Sequence, residues 1–126
     1  WRSMRTNEQL IQLRPQIQKE NGESNDLERF QNEVLRPILK FQNDLFQIEW
    51  WQSGHFEFIQ SIENPSSKRS TLSTFLAKNP MLFNRYVGMA CGLFTDAEFK
   101  FYLSQKPLVD KRIKELLITR FLSYQA

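Results

Sequence analysis

The chain predicts an all-α fold, a single-domain bundle of five or six helices around a long, proline-kinked central helix. Three observations predict it. Apolar residues recur at steps of three and four, the helical period, through most of the sequence. Glycine and proline number only 4 and 5 in 126 residues, too few for the many turns of an all-β chain. The stretch Asp26 to Trp51 carries two apolar rows at once. Leu27, Phe30, Val34, Ile38, Phe41, Leu45 and Ile48 form one; Leu35, Leu39, Phe46 and Trp50 form the other. A helix with two apolar faces must be covered from more than one side. At 1.5 Å per residue it would be ~39 Å long, enough to cross a small domain.

Trp1, Arg2 and Ser3 precede Met4, which looks like a native start, and the functional reading leaves them aside. Thr6 and Gln9 have capping-box spacing and open a first helix from about Asn7 to Lys19, with Leu10, Leu13 and Ile17 inward and Pro15 interrupting. Residues 20–25, ENGESN, form a loop, and Ser24, Asn25 or Asp26 caps the central helix. The first apolar row keeps its phase through Pro37, so that proline predicts a kink and not an end. Gly54 stops the long helix. Residues 52–67 read as a loop segment, in which Phe56 and Phe58 alternate like an extended piece while Phe58, Ile59 and Ile62 also fit a helical turn.

Ser67 or Ser70 then caps a short helix with Leu72, Phe75 and Leu76 inward, and Asn79-Pro80 ends it. Met81 to Leu93 is apolar nearly all round and predicts a buried helix. Gly88 and Gly92 lie four apart, as at a close crossing with the central helix. Thr95 and Glu98 form the clearest capping box, opening a helix to about Gln105 with Phe99, Tyr102 and Leu103 inward. Pro107 opens the last helix, an amphipathic one with Val109, Ile113, Leu116, Leu117 and Phe121 on its core face.

The length suits one domain, 1–126, and 11 phenylalanines can fill its core. One cysteine, Cys91, excludes an internal disulfide and fits a reducing, cytoplasmic setting. The longest uncharged apolar-rich run, Tyr86 to Thr95, is far shorter than the ~20 residues of a membrane span, so no membrane is expected. The net charge of +3 is unevenly spread. Glu20 to Glu63 holds nine acidic and three basic residues, whereas Ser66 to Thr95 holds four basic and none acidic. The two halves can face each other, or the basic one can meet an anionic partner.

No phosphate-binding glycine loop, CxxC or HExxH occurs, and no cofactor is implied. His55 is the sole histidine, which leaves a His-based metal site short of ligands. Cys91 sits in the most apolar helix, where a small buried hydrophobe is its usual meaning. A candidate ligand pocket gathers Arg36, Lys40, Trp50, Trp51 and His55 near the kink and the aromatic segment behind it. A candidate basic patch for nucleic acid gathers Lys68, Arg69, Lys78, Arg85, Lys111 and Arg112, with Lys106, Lys114 and Arg120 nearby in sequence.

Phe30-Gln31-Asn32, Leu35-Arg36-Pro37-Ile38, Lys40-Phe41-Gln42 and then Gly88, Gly92, Phe94-Thr95 and Glu98 resemble the pattern of a family of small, uncharacterised bacterial proteins of about this length. The resemblance covers most of the chain from Asp26 on. Some members carry a glyoxalase label. Glyoxalases need His and Glu ligands spread over several strands, which this chain does not offer, so no residue role follows from the label. The expected function is a non-enzymatic interaction module of the bacterial cytoplasm that self-associates, for instance as a homodimer. The alternative is a small-molecule-binding protein or enzyme with a pocket near Arg36 and Trp50–Phe58. A nucleic-acid binder is the third reading.

Overall fold

Asn25 starts the central helix as its side-chain oxygen accepts from the Glu28 backbone N–H at 2.8 Å. In a computed structural model, which describes residues 4–16 and 25–124, the fold is an all-α, single-domain bundle. Its helices are α1 (Asn7–Gln12), α2 (Asp26–Phe30), α3 (Arg36–Phe41), α4 (Asn43–Gln52), α5 (Phe56–Ser61), α6 (Pro65–Lys78), α7 (Pro80–Cys91), α8 (Asp96–Ser104) and α9 (Lys106–Ser123). That is more than the five or six expected, because the long helix is divided into three and Phe56–Ser61 forms a further helix. The expectations for Trp1–Ser3, for residues 17–19 of the first helix and for 20–24 of the first loop lie outside the described residues.

The division of the long helix has two causes. Gln31–Leu35 forms a π-helical turn between α2 and α3, and the Arg36 N–H donates to the Gln31 carbonyl. Widening the turn ahead of Pro37 relieves the crowding of its ring against the preceding turn. The predicted kink is therefore a local change of helix type, with Pro37 buried inside it. A second break falls at Gln42, whose backbone leaves the helical region at φ −88° and ψ 6°. Its side-chain amide donates to the Met89 carbonyl at 2.9 Å and ties the break to α7.

From Phe41 on, the two apolar rows part. Phe46 and Trp50 of the second row are fully buried. Phe41, Leu45 and Ile48 of the first row are 44%, 50% and 56% exposed, although that row is buried at Phe30, Val34 and Ile38. The long helix is thus covered from two sides as far as Leu39, and α4 from one.

Residues 52–67 are not a single loop. Gly54, at φ +82°, turns the chain after α4, which suits a residue without a Cβ. Phe56 and Ile59 are then buried in helix α5, which overturns the extended reading of Phe56 and Phe58. The connection that follows is short, and Asn64, not Ser67 or Ser70, caps α6 by accepting from the Ser67 N–H at 3.0 Å.

α7 buries Tyr86, Val87 and Ala90 but leaves Met81 exposed, so it is not enclosed all round. The close crossing expected at its glycines is absent. Among the described residues outside its own turn of helix, nothing lies within 4 Å of where a Cβ on Gly88 would sit, and at Gly92 the Gly88 carbonyl lies at 3.5 Å. The Thr95–Glu98 capping box forms as expected. Of the α8 residues expected inward, Tyr102 is buried, while Phe99 and Leu103 are exposed.

The last helix is more central than an amphipathic cover. α6, α7, α8 and the π turn all pack on α9, which buries Val109, Ile113, Leu117, Ile118 and Phe121. Across the end of α7 and the start of α8 the N-terminal segment forms a strap. Arg5 donates to the carbonyls of Gly92 at 2.7 Å and Phe94 at 3.0 Å. Arg14 donates to the Glu98 carboxylate at 2.8 Å through Nη1, and through Nη2 to both Glu98 and the Leu93 carbonyl. Two arginines thus satisfy the carbonyls where α7 ends, at the negative end of its dipole.

Candidate functional site

Arg36 follows the π turn directly and Lys40 lies one helical turn on, so both side chains project from the same flank of α3. The α9 residues Leu116, Thr119, Arg120 and Ser123 follow the same spacing and face them. Together with Leu39 and Gln16 they line a cleft of about 690 Å³. Three cations, Arg36, Lys40 and Arg120, share it, and among the described residues no carboxylate lines it. Among the described residues none of the three makes an ion pair.

Arg120 is held in place. Its Nη1 donates to Asn43 Oδ1 at 2.9 Å, and the Tyr124 hydroxyl donates to the same oxygen at 2.7 Å. Burial pushes the Tyr124 phenol up to about 12; the Arg120 charge opposes this and Asp44 adds to it. The phenol therefore stays a donor at neutral pH. Thr119 accepts from Arg69 Nη2 at 3.3 Å and donates to the Glu115 carbonyl at 3.2 Å, which brings a fourth cation to the rim.

The sequence-predicted pocket is thus divided. Arg36 and Lys40 meet in the cleft, whereas Trp50, Trp51 and His55 do not line it. Trp50 is a core residue, 1% exposed and stacked on Phe121. Trp51 lies edge-on to Phe56, with centroids 6.0 Å apart. His55 is exposed, just ahead of α5, with its ring 4.0 Å from that of Phe75. The basic patch is divided as well. Arg85 pairs with Glu49 at 2.8 Å, which is a contact between the basic and acidic halves of the chain. Arg112 donates to the Gln31 side chain at 2.7 Å and braces the π turn. Arg69 reaches Thr119, while Lys68 and Lys78 lie on α6 and Lys111 on α9.

Arg120 and Asn43 were the residues sequence reading underrated. The only signal for Arg120 was its place on the polar flank of α9, and Asn43 carried none beyond its proximity to Lys40.

The half-buried Cys91 adjoins a polar group in which the Tyr102 hydroxyl donates to Asp110 and Lys106 pairs with Asp110, both at 2.7 Å. Burial pushes the Cys91 thiol up to about 11, and Asp110 adds to the rise. A thiol protonated at neutral pH is a poor nucleophile. Among the described residues no three of His, Cys, Asp and Glu come together as metal ligands, and no helix is long and apolar enough to cross a membrane. No family model, curated protein or solved structure matches the chain.

Proposed function

We propose that the protein is a helical interaction module that self-associates through the outward row of Phe41, Leu45 and Ile48. The exposure of these three residues on successive turns carries the reading. An apolar row of this kind on a soluble bundle marks an interaction site more often than an accident of composition. Trp51, 42% exposed, flanks it and supplies the aromatic character common at interfaces. A twofold axis through the row would bring it against its own copy and bury both rows together. The single, protonated thiol also suits a reducing cytoplasm, where it needs no partner cysteine.

Light scattering after size exclusion tests the reading. The wild-type chain should elute at a whole multiple of 15.1 kDa, and the double variant Leu45→Glu/Ile48→Glu at 15.1 kDa with an unchanged helical circular dichroism spectrum. A wild-type monomer across a wide dilution series would refute it. So would an oligomer that the double variant leaves intact.

A further inference from the structure

We infer that the cleft between α3 and α9 is a binding site for a small molecule carrying a phosphate or polyphosphate group. The inference is independent of self-association. Three positive side chains converge on the cleft, with no carboxylate among the described residues that line it. Cations gathered in this way repel one another, and a bound anion would relieve that repulsion. Arg36 and Arg120 each present a planar fork of N–H donors, the geometry that grips two oxygens of one phosphate. Lys40 adds a mobile point charge at the mouth.

Two features separate this cleft from a scatter of surface cations. The first is that Arg120 is anchored by Asn43, which is itself held by Tyr124, so its guanidinium is set before a ligand arrives. The second is that the Arg36 side chain has no hydrogen bond or ion pair among the described residues, although the residue is half-buried. Its neighbours in the wider basic set are engaged, Arg85 by Glu49 and Arg112 by Gln31. The volume of about 690 Å³ suits a small organic ligand, and Leu39 and Leu116 offer it an apolar wall. A nucleic acid would need a longer track of free cations than these dispersed residues provide.

Calorimetric titration with inorganic pyrophosphate at low salt tests the assignment. Saturable binding is expected, weakened about tenfold or more in Arg36→Gln and in Lys40→Gln, as loss of a charge-assisted bond requires. Arg36→Lys, which keeps the charge but loses the fork, should fall between, and Lys111→Gln, outside the cleft, should bind like the wild type. Should Arg36→Gln fail to fold, the exposed Lys40 decides alone. The Leu45→Glu/Ile48→Glu chain should bind pyrophosphate unchanged, which separates this site from the self-association surface. Absence of saturable binding overturns the proposal. Binding indifferent to both cleft substitutions does so too, as does citrate binding as tightly as pyrophosphate, since a tricarboxylate shares the charge but not the phosphate geometry.

Discussion

The Trp50 indole and the Phe121 ring lie parallel, with centroids 4.9 Å apart and planes 2° from coplanar orientation. The pair joins α4 to α9, and Phe121 continues the cluster to Tyr86 at 5.1 Å and Tyr124 at 5.9 Å. Since Tyr124 also donates to Asn43, the same cluster supports the residue that anchors Arg120. Core packing and the shape of the basic cleft are therefore linked through one end of α9.

Trp50→Ala should cost ~3–5 kcal/mol, the usual range for an aromatic residue removed from a packed core. Trp50→Phe should cost less, because it keeps a ring against Phe121. Urea melts followed by far-ultraviolet circular dichroism measure both. A loss below about 1 kcal/mol for the alanine variant would mean that the stack contributes little beyond its area.

The Arg14–Glu98 pair predicts an acid-sensitive strap. Burial raises the Glu98 carboxyl, but the Arg14 hydrogen bond, the Thr95 N–H and the Arg14 charge outweigh it and hold it below its ordinary 4.5. A carboxyl depressed in the folded state adds stability above its unfolded pKa and loses it as pH falls through the folded one. Wild type should therefore lead Glu98→Gln at neutral pH by ~2 kcal/mol, a typical value for charge-assisted bonds. The lead should shrink steadily once the pH drops under 4.5. A difference that stays constant into acid would remove Glu98 as its source.

Cys91 should react slowly with iodoacetamide at neutral pH, and its rate should keep rising toward pH 11 because burial disfavours the thiolate. A rate profile that levels off near 8.5, the ordinary range for a free thiol, would show that the side chain is less enclosed than the fold implies.

Gly88→Ala should be tolerated and should raise stability by up to ~1 kcal/mol, the helix-propensity difference between the two residues. Its Cβ meets nothing within 4 Å among the described residues outside its own turn of helix. A fall in melting temperature would show that some surface packs against this glycine, and would revive the close approach that the sequence pattern suggested.

Much of the architecture was legible. The capping boxes at Thr6 and Thr95, the stop at Gly54 and the end of α6 at Asn79-Pro80 rest on local chemistry, and each formed where its residues stand. The inward face of α9 followed from a stripe of one period. The break at Gln42 was not legible, because a glutamine carries no helix-stop signal and its bond to Met89 joins residues 47 apart. Nor does the sequence show that the first row turns outward about this break, so the exposed Phe41, Leu45 and Ile48 read as core. Gly88 and Gly92 misled because glycine spacing is the same whether a helix crosses there or solvent does. In the cleft, Arg36 and Lys40 were visible as helix neighbours, but Arg120 joins them only through the packing of α9.

The strap has a temporal meaning as well. Arg5 meets Gly92 and Phe94 across 87 and 89 residues, and those carbonyls converge only once the end of α7 and the start of α8 are in place. Contacts so remote along the chain close late in folding. The N-terminal segment should then dock late and lift away early under native conditions. In hydrogen exchange, amides of α1 should lose protection well before those of α9, and a protease should nick the strap while the rest of the bundle is still intact.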